Sequence, residues 1–511
     1  MYLGAKSSGT LWSIILLIWA TLFSTILIMS RTQLLETNPA LTIFFVIVLA
    51  YFFLVGTFNL VINIQSRVLD HSVRETPLTS WPRVALFYLT YNDFDEESAS
   101  SMLRSSYPNQ EIWILDDSTN ATSKIAIDQF VSSSPQIKLV RRPNRDGFKA
   151  GAINSALRSL DPSVEYIAIL DSDEYIPPTF VEKNLPLFGD NTAFVQSTHQ
   201  CYNKNESWFT RMMGIGVDLH WKHYQSYRNR YGTPNMLGHG ALVSRKVLDE
   251  IGGFPEITCE DLGFTVEARL KGYRGVFSSE VVCGETFPSD FSAMRRRHLR
   301  WSWATIEFLR KYAGTIVGSD LSFHEKLDIL LPSLNLPASL IFLTFLIILS
   351  AVNLMRIPVP FLQSPSLVFL SIVSSFAPLL MFSELINHPI MLLKVIAVNT
   401  VAFLALFTSS IKGALKGLFL PAQFLVTPKS AVRKTLLGSV HESLPEIALG
   451  LLLVILGLIS SGFYGFFSLI AISSILTPLL VYFSANVLGQ STRVPNNVVL
   501  PDMLAPRAQI Q

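Results

Sequence analysis

Long uncharged apolar stretches are the feature that most constrains how this chain can fold. The five longest contain no Asp, Glu, Lys or Arg and span residues 7–30, 37–66, 332–355, 357–383 and 447–492. About 20 apolar residues are enough for a helix to cross the hydrocarbon core of a bilayer. Two of these stretches precede a long polar block and three follow it. The sequence therefore predicts a membrane protein that carries a polar domain between its membrane helices.

The number of membrane spans depends on two segments near the C-terminal end. The stretch 447–492 is long enough for two spans, with SSGFYGF at 460–466 predicted as the turn. Segment 390–410 contains Lys394, and a lysine in the middle of a span is costly. Five basic residues lie within 411–435, and the positive-inside rule places such a loop in the cytoplasm. We predict six spans, two before the polar block and four after it, with segment 390–410 in the membrane interface and both termini inside.

The composition excludes several classes of protein. Half of the residues are hydrophobic and the mean hydropathy is +0.39, which is too apolar for an ordinary soluble enzyme. The net charge of +2 gives no reason to expect a polyanion-binding surface, and no nucleic-acid partner is expected. Cys201, Cys259 and Cys283 lack CxxC spacing, so they predict reduced residues rather than a zinc site or a disulfide framework.

The polar block at about 80–310 alternates short apolar runs with helical patterns. Strands are predicted at 83–90, 111–117, 137–140 and 164–173, and helices at about 94–105, from about 122, and at about 149–160. Strands that alternate with helices predict an α/β fold, a parallel sheet with helices on both faces, joined here to membrane α-helices. The block has no GxxxxGK[ST] motif and no GxGxxG after its first strand, which argues against P-loop and dinucleotide-binding enzymes.

Polar residues follow three of these strands, at 91–93, 116–117 and 171–173. Ligands of parallel sheets bind at the carboxyl ends of the strands. A single Asp after a strand is commonly a turn or a helix cap, but three polar strand ends on one edge indicate a site. Asp171 and Asp173 can together hold a hard divalent cation, Mg²⁺ or Mn²⁺, which prefers oxygen ligands and would neutralise a diphosphate leaving group.

Two later stretches offer further chemistry. Glu260 and Asp261 open a predicted amphipathic helix. They could simply favour the helix dipole, or one could act as a general base that takes a proton from a sugar hydroxyl. The basic stretch RRRHLRWSW at 295–303 could be an interface helix that leads into the membrane. Within it, Arg300 could pair with a diphosphate and Trp301 could stack on a sugar ring.

In their order along the chain, these motifs resemble the membrane-embedded glycosyltransferases of family 2, the group of cellulose, hyaluronan and chitin synthases. The resemblance runs from about residue 83 to about residue 485. Its motifs are LTYND (89–93), ILDDS (114–118), DGFKAGAINSAL (146–157), DSD (171–173), CED (259–261), RHLRW (297–301) and FLVTPK (424–429). The last is similar to the family's gating loop, which follows a cytoplasmic interfacial helix, in agreement with the topology expected from charge.

The resemblance implies a GT-A type, Rossmann-like nucleotide-sugar domain and a role for each matching position. Asp261 would be the catalytic base, and Glu260 and Trp301 would contact the acceptor. Asp171 and Asp173 would bind Mg²⁺ or Mn²⁺ beside the diphosphate. The donor, a UDP-sugar in this resemblance, would be bound by Thr90, Tyr91, Asp116, Asp117, Lys149, Asp171, Arg300, Thr427 and Lys429. Either Asp116 or Asp117 would contact the uracil.

The same resemblance divides the chain into parts. These are two N-terminal transmembrane helices (1–66), a cytoplasmic glycosyltransferase domain (80–290), interfacial helices (291–325), four transmembrane helices with the interfacial helix and gating loop at 390–435 (330–485), and a short C-terminal tail (486–511). The protein is expected in the plasma or inner membrane, with the lipid bilayer, a nucleotide-sugar donor and a glycan or lipid-linked acceptor as its partners.

Three functions are compatible with these features. The first is an inverting, processive synthase that makes a β-linked polysaccharide and passes it through its own helices. The second transfers a single sugar to a lipid-linked or glycan acceptor. Arg297 stands where the family has glutamine, which puts the acceptor in doubt, whereas Cys259 in place of threonine leaves the base intact. The third is a transporter or channel, which the absence of a repeat between the two hydrophobic parts disfavours.

Overall fold

The structure is a computed structural model that describes residues 6–66, 76–77, 80–231, 233–424, 426–428, 431–459 and 465–487. It begins with α1 (Lys6–Met29), α2 (Arg31–Glu36) and α3 (Pro39–Gln65). The long helices α1 and α3 coincide with the first two uncharged stretches. Helix α3 begins after Asn38, whose side chain accepts hydrogen bonds from the backbone N–H groups of Ala40 and Leu41.

The polar block contains one eight-stranded sheet in the order β3-β2-β1-β4-β7-β6-β8-β5. Its strands are β1 (Arg83–Thr90), β2 (Gln110–Asp116), β3 (Ile137–Arg141), β4 (Val164–Asp171), β5 (Glu174–Tyr175), β6 (Thr192–Cys201), β7 (Ala241–Ser244) and β8 (Arg274–Glu285). Strands β1 to β4 pair in parallel, and each lies within two residues of its predicted bounds. The predicted α/β class is confirmed.

The other half of the sheet is mixed, which the sequence pattern did not predict. Strand β7 runs antiparallel to both β4 and β6, whereas β8 runs parallel to β6 and antiparallel to β5. Buried polar side chains such as Gln196 and His199 interrupt the apolar pattern of β6, so periodicity alone does not identify this strand. A parallel half joined to a mixed half agrees with the GT-A type domain that the family resemblance implies.

Seven helices flank the sheet: α4 (Glu96–Leu103), α5 (Ala121–Ser132), α6 (Phe148–Ser159), α7 (Phe180–Asn184), α8 (Trp208–Arg230), α9 (Arg245–Ile251) and α10 (Glu260–Leu270). Alternate residues of β1 face two separate cores. Phe87 packs in the core that includes α6, α9 and α10, whereas Leu86 and Tyr88 pack in the core that includes α4, α5 and α7. Helices therefore cover both faces, as predicted.

The remaining helices are α11 (Phe291–Gly318), α12 (Phe323–Ser333), α13 (Ala338–Leu354), α14 (Pro365–Phe376), α15 (Pro389–Ala405), α16 (Phe407–Phe419), α17 (Leu436–Glu442), α18 (Leu444–Ile459), α19 (Gly465–Ile475) and α20 (Thr477–Asn486). Short 3₁₀ turns lie at Leu185–Leu187, Pro360–Gln363 and Ala377–Leu385. Helix α11 is long and amphipathic, and α16 packs along it.

Within the described residues, three helices are long and apolar enough to cross a bilayer, namely Gly9–Met29, Pro39–Gln65 and Pro389–Phe419. The number rises to seven if each of four sharply bent helix pairs counts as one span. The six-span topology, with segment 390–410 in the interface, stays a prediction. On one side this segment packs against the polar domain, because Asn399 donates a 2.9 Å hydrogen bond to the carbonyl of Met212 on α8.

Three sequence predictions fall wholly or partly outside the described residues. They are most of the turn predicted at 460–466, most of the tail predicted at 486–511, and Lys429 of the predicted gating loop.

Candidate active site

The parallel half of the sheet brings its polar strand ends to one edge. Thr90 at the end of β1 pairs in register with Asp116 at the end of β2, and Leu89 pairs with Asp171 at the end of β4. The Thr90 hydroxyl donates a 3.0 Å hydrogen bond to Asp93 in the turn that follows. The edge predicted from the strand ends therefore exists as one continuous row.

The two aspartates of the ILDDS motif are both held by arginines. Asp116 is 3% exposed, accepts a 2.8 Å hydrogen bond from the backbone N–H of Ser118 and pairs with Arg141 at 2.6 Å. Asp117 accepts two hydrogen bonds from Arg142, at 2.9 and 2.5 Å. These contacts fix both carboxylates at the site edge, and they leave open which aspartate would face a nucleobase.

Arg145 is a site residue that the sequence analysis missed. Its guanidinium carbon lies 3.4 Å from the centre of the Tyr91 ring and 4.8 Å from that of Phe424, and its Nε lies 3.9 Å from Asp117. Burial lowers the pKa of Arg145. Aromatic faces attract cations, so this stack joins the β1 end to the loop at 424–428. The sequence signal for Arg145 is the basic run RRPNR at 141–145, which precedes the DGFKAGAINSAL motif.

Lys149 connects three of the predicted carboxylates. Its Nζ donates a 2.5 Å hydrogen bond to Asp171 and a 3.0 Å hydrogen bond to the carbonyl of Gly238, and it lies 3.6 Å from Glu260. Burial alone would lower the pKa of Lys149, but the charges of Asp171, Glu260 and Asp261 raise it above its usual value. Helix α6, which carries Lys149, thus delivers a charged ammonium group into the centre of the carboxylate cluster.

The carboxylates in this cluster differ in their affinity for protons. Burial would raise the pKa of Asp171, but the charges of Lys149 and His239 lower it below its usual value. Burial raises the pKa of Glu260 to about 7 and also raises that of Asp261. Asp261 accepts a 2.8 Å hydrogen bond from the backbone N–H of Leu262. An acid whose pKa is raised towards neutrality is suited to proton transfer.

Close packing holds Asp261 against the loop before β7. Gly238 has a φ of +90°, and a β-carbon at this position would lie 3.4 Å from Asp261 Oδ2. Gly238 therefore lets the backbone reach both Lys149 and Asp261 at once.

The other end of the site is formed by α11. Arg300 is within electrostatic reach of Asp171, Asp173, Glu260 and Asp261, and burial lowers its pKa. One helical position later, Trp301 is 39% exposed. The structure therefore places the predicted diphosphate-binding arginine next to the carboxylates. The predicted acceptor-stacking tryptophan lies on the same helix with its ring partly exposed.

Arg297, which replaces the family's glutamine, packs on this tryptophan. Its guanidinium carbon lies 4.6 Å from the centre of the Trp301 ring and 4.3 Å from that of Phe287, and its Nη1 is 3.6 Å from Glu285. Burial lowers the pKa of Arg297 to about 10. The substitution thus places a buried cation against one side of the predicted acceptor site.

A histidine pair that the sequence analysis missed, His199 and His239, lies within electrostatic reach of Asp171 through His239. His199 is buried and His239 is partly buried. The rings of His199 and His239 stack with their centres 4.2 Å apart. The Glu174 carboxylate contacts His239 and lies 3.3 Å from His199 Nε2. The ligand atoms of the three side chains lie within 4.8 Å of one another, so the cluster has residues that could hold a metal ion. These residues are far apart in the sequence, and no local motif announces them.

Phe424 and residues 426–428 lie close to the end of the site that is predicted to bind the nucleotide. Phe424 lies 4.8 Å from the guanidinium carbons of both Arg145 and Arg300. Thr427 lines a cavity of about 380 Å³ together with residues 92–95 of the turn after β1. Lys429, predicted to close over the nucleotide, lies outside the described residues.

Comparison with known proteins gives one family. A sequence model described as Glycosyl transferase family group 2 matches residues 166–407. Glucomannan 4-beta-mannosyltransferase 7 of Arabidopsis thaliana is 28% identical over 254 residues, which cover 47% of this chain and 46% of that protein. Glucomannan 4-beta-mannosyltransferase 9 of the same plant is 31% identical over 223 residues, 42% of each chain. The chain thus spans about half the length of the curated relatives it matches.

Among solved structures, the mannosyltransferase PcManGT of Pyrobaculum calidifontis, in complex with GDP-Man and Mn²⁺, aligns with 73% of this chain and 97% of its own. The TM-score is 0.49 and the sequence identity is 18%.

Proposed function

We propose that this chain is a membrane-integrated, inverting glycosyltransferase that adds sugars from a nucleotide donor to a growing β-linked polysaccharide. The match of residues 166–407 to the model of Glycosyl transferase family group 2 is the premise of the proposal. The observation that carries the proposal is the convergence of one ammonium group, one guanidinium group and three carboxylates at the strand ends: Lys149, Arg300, Asp171, Glu260 and Asp261. This set has both a base and cations for a diphosphate leaving group.

Proton transfer is assigned to Asp261. Its buried carboxylate takes the proton from the acceptor hydroxyl as that oxygen attacks the anomeric carbon of the donor. The bond from this carbon to the diphosphate oxygen breaks in the same displacement, so the configuration inverts. Glu260 lies beside the base and Trp301 stacks on the terminal sugar of the acceptor, which keeps the attacking hydroxyl close to Asp261.

The diphosphate is stabilised by cations of the chain. Lys149 on α6 and Arg300 on α11 both face the carboxylate cluster, and both are charged at neutral pH. A divalent cation is assigned to Asp171 and Asp173, because Asp171 ends β4 with its side chain 36% exposed and Asp173 follows two residues later. Carboxylate oxygens are the ligands that such hard cations prefer. When bound, Mg²⁺ or Mn²⁺ would neutralise charge on the departing diphosphate.

The nucleotide is assigned to the ends of β1 and β2, on the side of the sheet edge away from the carboxylate cluster. Thr90, Tyr91, Asp116 and Asp117 lie at the ends of β1 and β2. Thr427 shares a cavity with residues 92–95 of the turn after β1. The family resemblance favours uridine. The names of the plant relatives make a β-linked mannosyl unit the first sugar to test.

Processive synthesis, with passage of the polymer through the membrane helices, is favoured by the presence in the sequence of the FLVTPK motif at 424–429 and the RHLRW motif at 297–301. Transfer of one sugar to a lipid-linked or glycan acceptor is the second candidate, because Arg297 occupies the acceptor side of Trp301. In either case we propose a multi-pass protein of the plasma or inner membrane, with the domain at 80–290 in the cytoplasm.

Product size separates the two candidates. The full chain in lipid nanodiscs would receive Mn²⁺ or Mg²⁺ with GDP-mannose, UDP-glucose or UDP-N-acetylglucosamine, and nucleotide release and product length would be measured together. Long polymer from one donor supports the synthase. Release that requires an added acceptor and stops after one sugar supports single transfer. No release above background from any donor would contradict both.

A further inference from the structure

Asp328 on α12 is a buried carboxylate that joins four separate elements. It is 1% exposed. Arg228 of α8 donates hydrogen bonds to both of its oxygens, at 3.0 and 2.7 Å. Arg269 of α10 donates a third at 2.9 Å, and the indole N–H of Trp12 on α1 donates a fourth at 3.3 Å. We call these four residues the Asp328 junction.

The charges of the junction do not balance. Two guanidinium groups share one carboxylate, which leaves one net positive charge in a buried site. Among the described residues, Nε and Nη2 of Arg269 are buried and have no hydrogen-bond partner. Buried ion pairs and triads of this kind are often less stable than apolar side chains of similar size. The triad is therefore weak evidence for added stability, whereas the directed, bidentate geometry of Arg228 constrains where the elements lie.

One of the joined elements carries the proposed base. Helix α10 begins with Glu260 and Asp261, and Arg269 lies two turns later on the same helix. The residues before its first turn contact α11, because Thr258 donates 2.9 and 2.6 Å hydrogen bonds to Glu307. With contacts to α11 at one end and the junction at the other, α10 has little freedom to shift along its axis or to rotate.

We infer that the Asp328 junction positions the base of the active site relative to the first membrane helix, with Asp328 and Arg269 as positioning residues. The inference rests on the proposed role of Asp261. The series of contacts is short: Trp12 of the first membrane helix bonds Asp328, Asp328 bonds Arg269, and Arg269 lies on the helix that begins with Glu260 and Asp261. A displacement of the membrane helix would reach the carboxylate that takes the acceptor's proton.

An apolar replacement of the triad separates positioning from stability. In the triple variant R228M/D328L/R269M, side chains of similar size fill the same space without charge. We expect it to unfold at the same temperature as the wild type or higher, and to exchange the amide hydrogens in the first turns of α10 faster. Its kcat should fall roughly 10- to 100-fold, because a small misplacement of a reacting group is costly. Its donor KM should stay within about twofold of the wild-type value. Asp328→Asn, which keeps the size of the side chain, should change exchange and kcat in the same direction.

Glu325→Gln is the matched control. Glu325 lies on α12, the helix that carries Asp328, and it pairs at 2.7 Å with Arg274 of β8. This ion pair joins α12 to β8 rather than to α10. It should change neither the exchange of α10 nor kcat.

Two outcomes would overturn the inference: unchanged exchange in α10 together with unchanged kcat in a folded triple variant, or the same losses in Glu325→Gln. Should the wild type release no nucleotide from any donor, the proposed function fails, but the exchange of α10 still decides whether the junction holds this helix.

Discussion

Lys149 Nζ lies 2.5 Å from Asp171 Oδ1, so a buried ammonium group neutralises the first carboxylate of the DSD motif. The same ammonium group lies 3.6 Å from Glu260 Oε1. Without Lys149, the carboxylates around it would repel one another, and the donor diphosphate would meet an excess of negative charge.

Lys149→Met should therefore reduce nucleotide release strongly. Removal of a preorganised group that stabilises the leaving group costs roughly 100- to 1,000-fold in kcat in well-studied enzymes, and we expect a loss at the lower end of that range. Steady-state nucleotide release measures it. Lys138→Met is the control, because Lys138 is an exposed lysine paired with Glu111 on β2, and it should leave kcat unchanged. Equal kcat in wild type and Lys149→Met would exclude a role for the ammonium group.

The rate should rise with pH in the acid range. Asp261 must be ionised to accept a proton. Because burial raises the pKa of Asp261, this carboxylate becomes protonated, and the enzyme inactive, at a higher pH than an ordinary carboxyl group of pKa about 4. Glu260→Gln removes a neighbouring negative charge and should move the acidic limb of the kcat profile to lower pH. The profile of both proteins between about pH 4 and 8 tests this. A limb that stays in place in Glu260→Gln would show that the two carboxylates are not coupled.

Metal dependence should follow Asp173 rather than the histidine pair. Asp173→Asn removes one of the two proposed ligands, and we expect the Mn²⁺ concentration for half-maximal turnover to rise roughly tenfold or more. His199→Gln changes the buried cluster of Glu174, His199 and His239, and it should leave this concentration within about twofold. Titration of metal-depleted protein with Mn²⁺ measures both. The reverse pattern would move the catalytic metal to the histidine cluster.

Phe424 should contribute to donor binding. Its ring contacts the guanidinium groups of Arg145 and Arg300, and a desolvated cation–π contact is worth about 1 to 2 kcal/mol. Phe424→Ala should therefore raise the donor KM roughly 5- to 30-fold, with a smaller effect on kcat. Val432→Ala is the control in the same loop region, because Val432 is 67% exposed. An equal change of donor KM in both variants would show that the contact of Phe424 with the two arginines does not contribute to donor binding.

The parallel half of the fold could be predicted from the sequence because its strands are apolar runs that end in turn residues. RVALFYLT at 83–90 is β1 without any shift in its bounds. The mixed half could not be predicted in this way, since β6 buries Gln196 and His199 and owes its place to pairing with distant strands. Strand pairing over such separations leaves no local pattern.

The candidate site divides in the same way. Asp171, Glu260, Asp261 and Arg300 belong to short motifs whose chemistry is visible in the sequence, and the fold brings them together. The partners that complete the site are long-range. Arg145 contacts Phe424, which lies more than half of the chain length away in the sequence, and Arg269 meets Asp328 only because α10 and α12 pack together. Side chains of this kind are assigned by geometry alone.

The most direct measurement compares nucleoside diphosphate release by the wild type and by Asp261→Asn, in lipid nanodiscs with Mn²⁺ and each donor in turn. Asp249→Asn, an exposed aspartate on α9, serves as the matched control. The account predicts turnover from at least one donor in the wild type and the control, and a loss of roughly 100-fold or more in Asp261→Asn. Equal release by all three proteins would contradict the assignment of Asp261 as the base and, with it, the proposed active site.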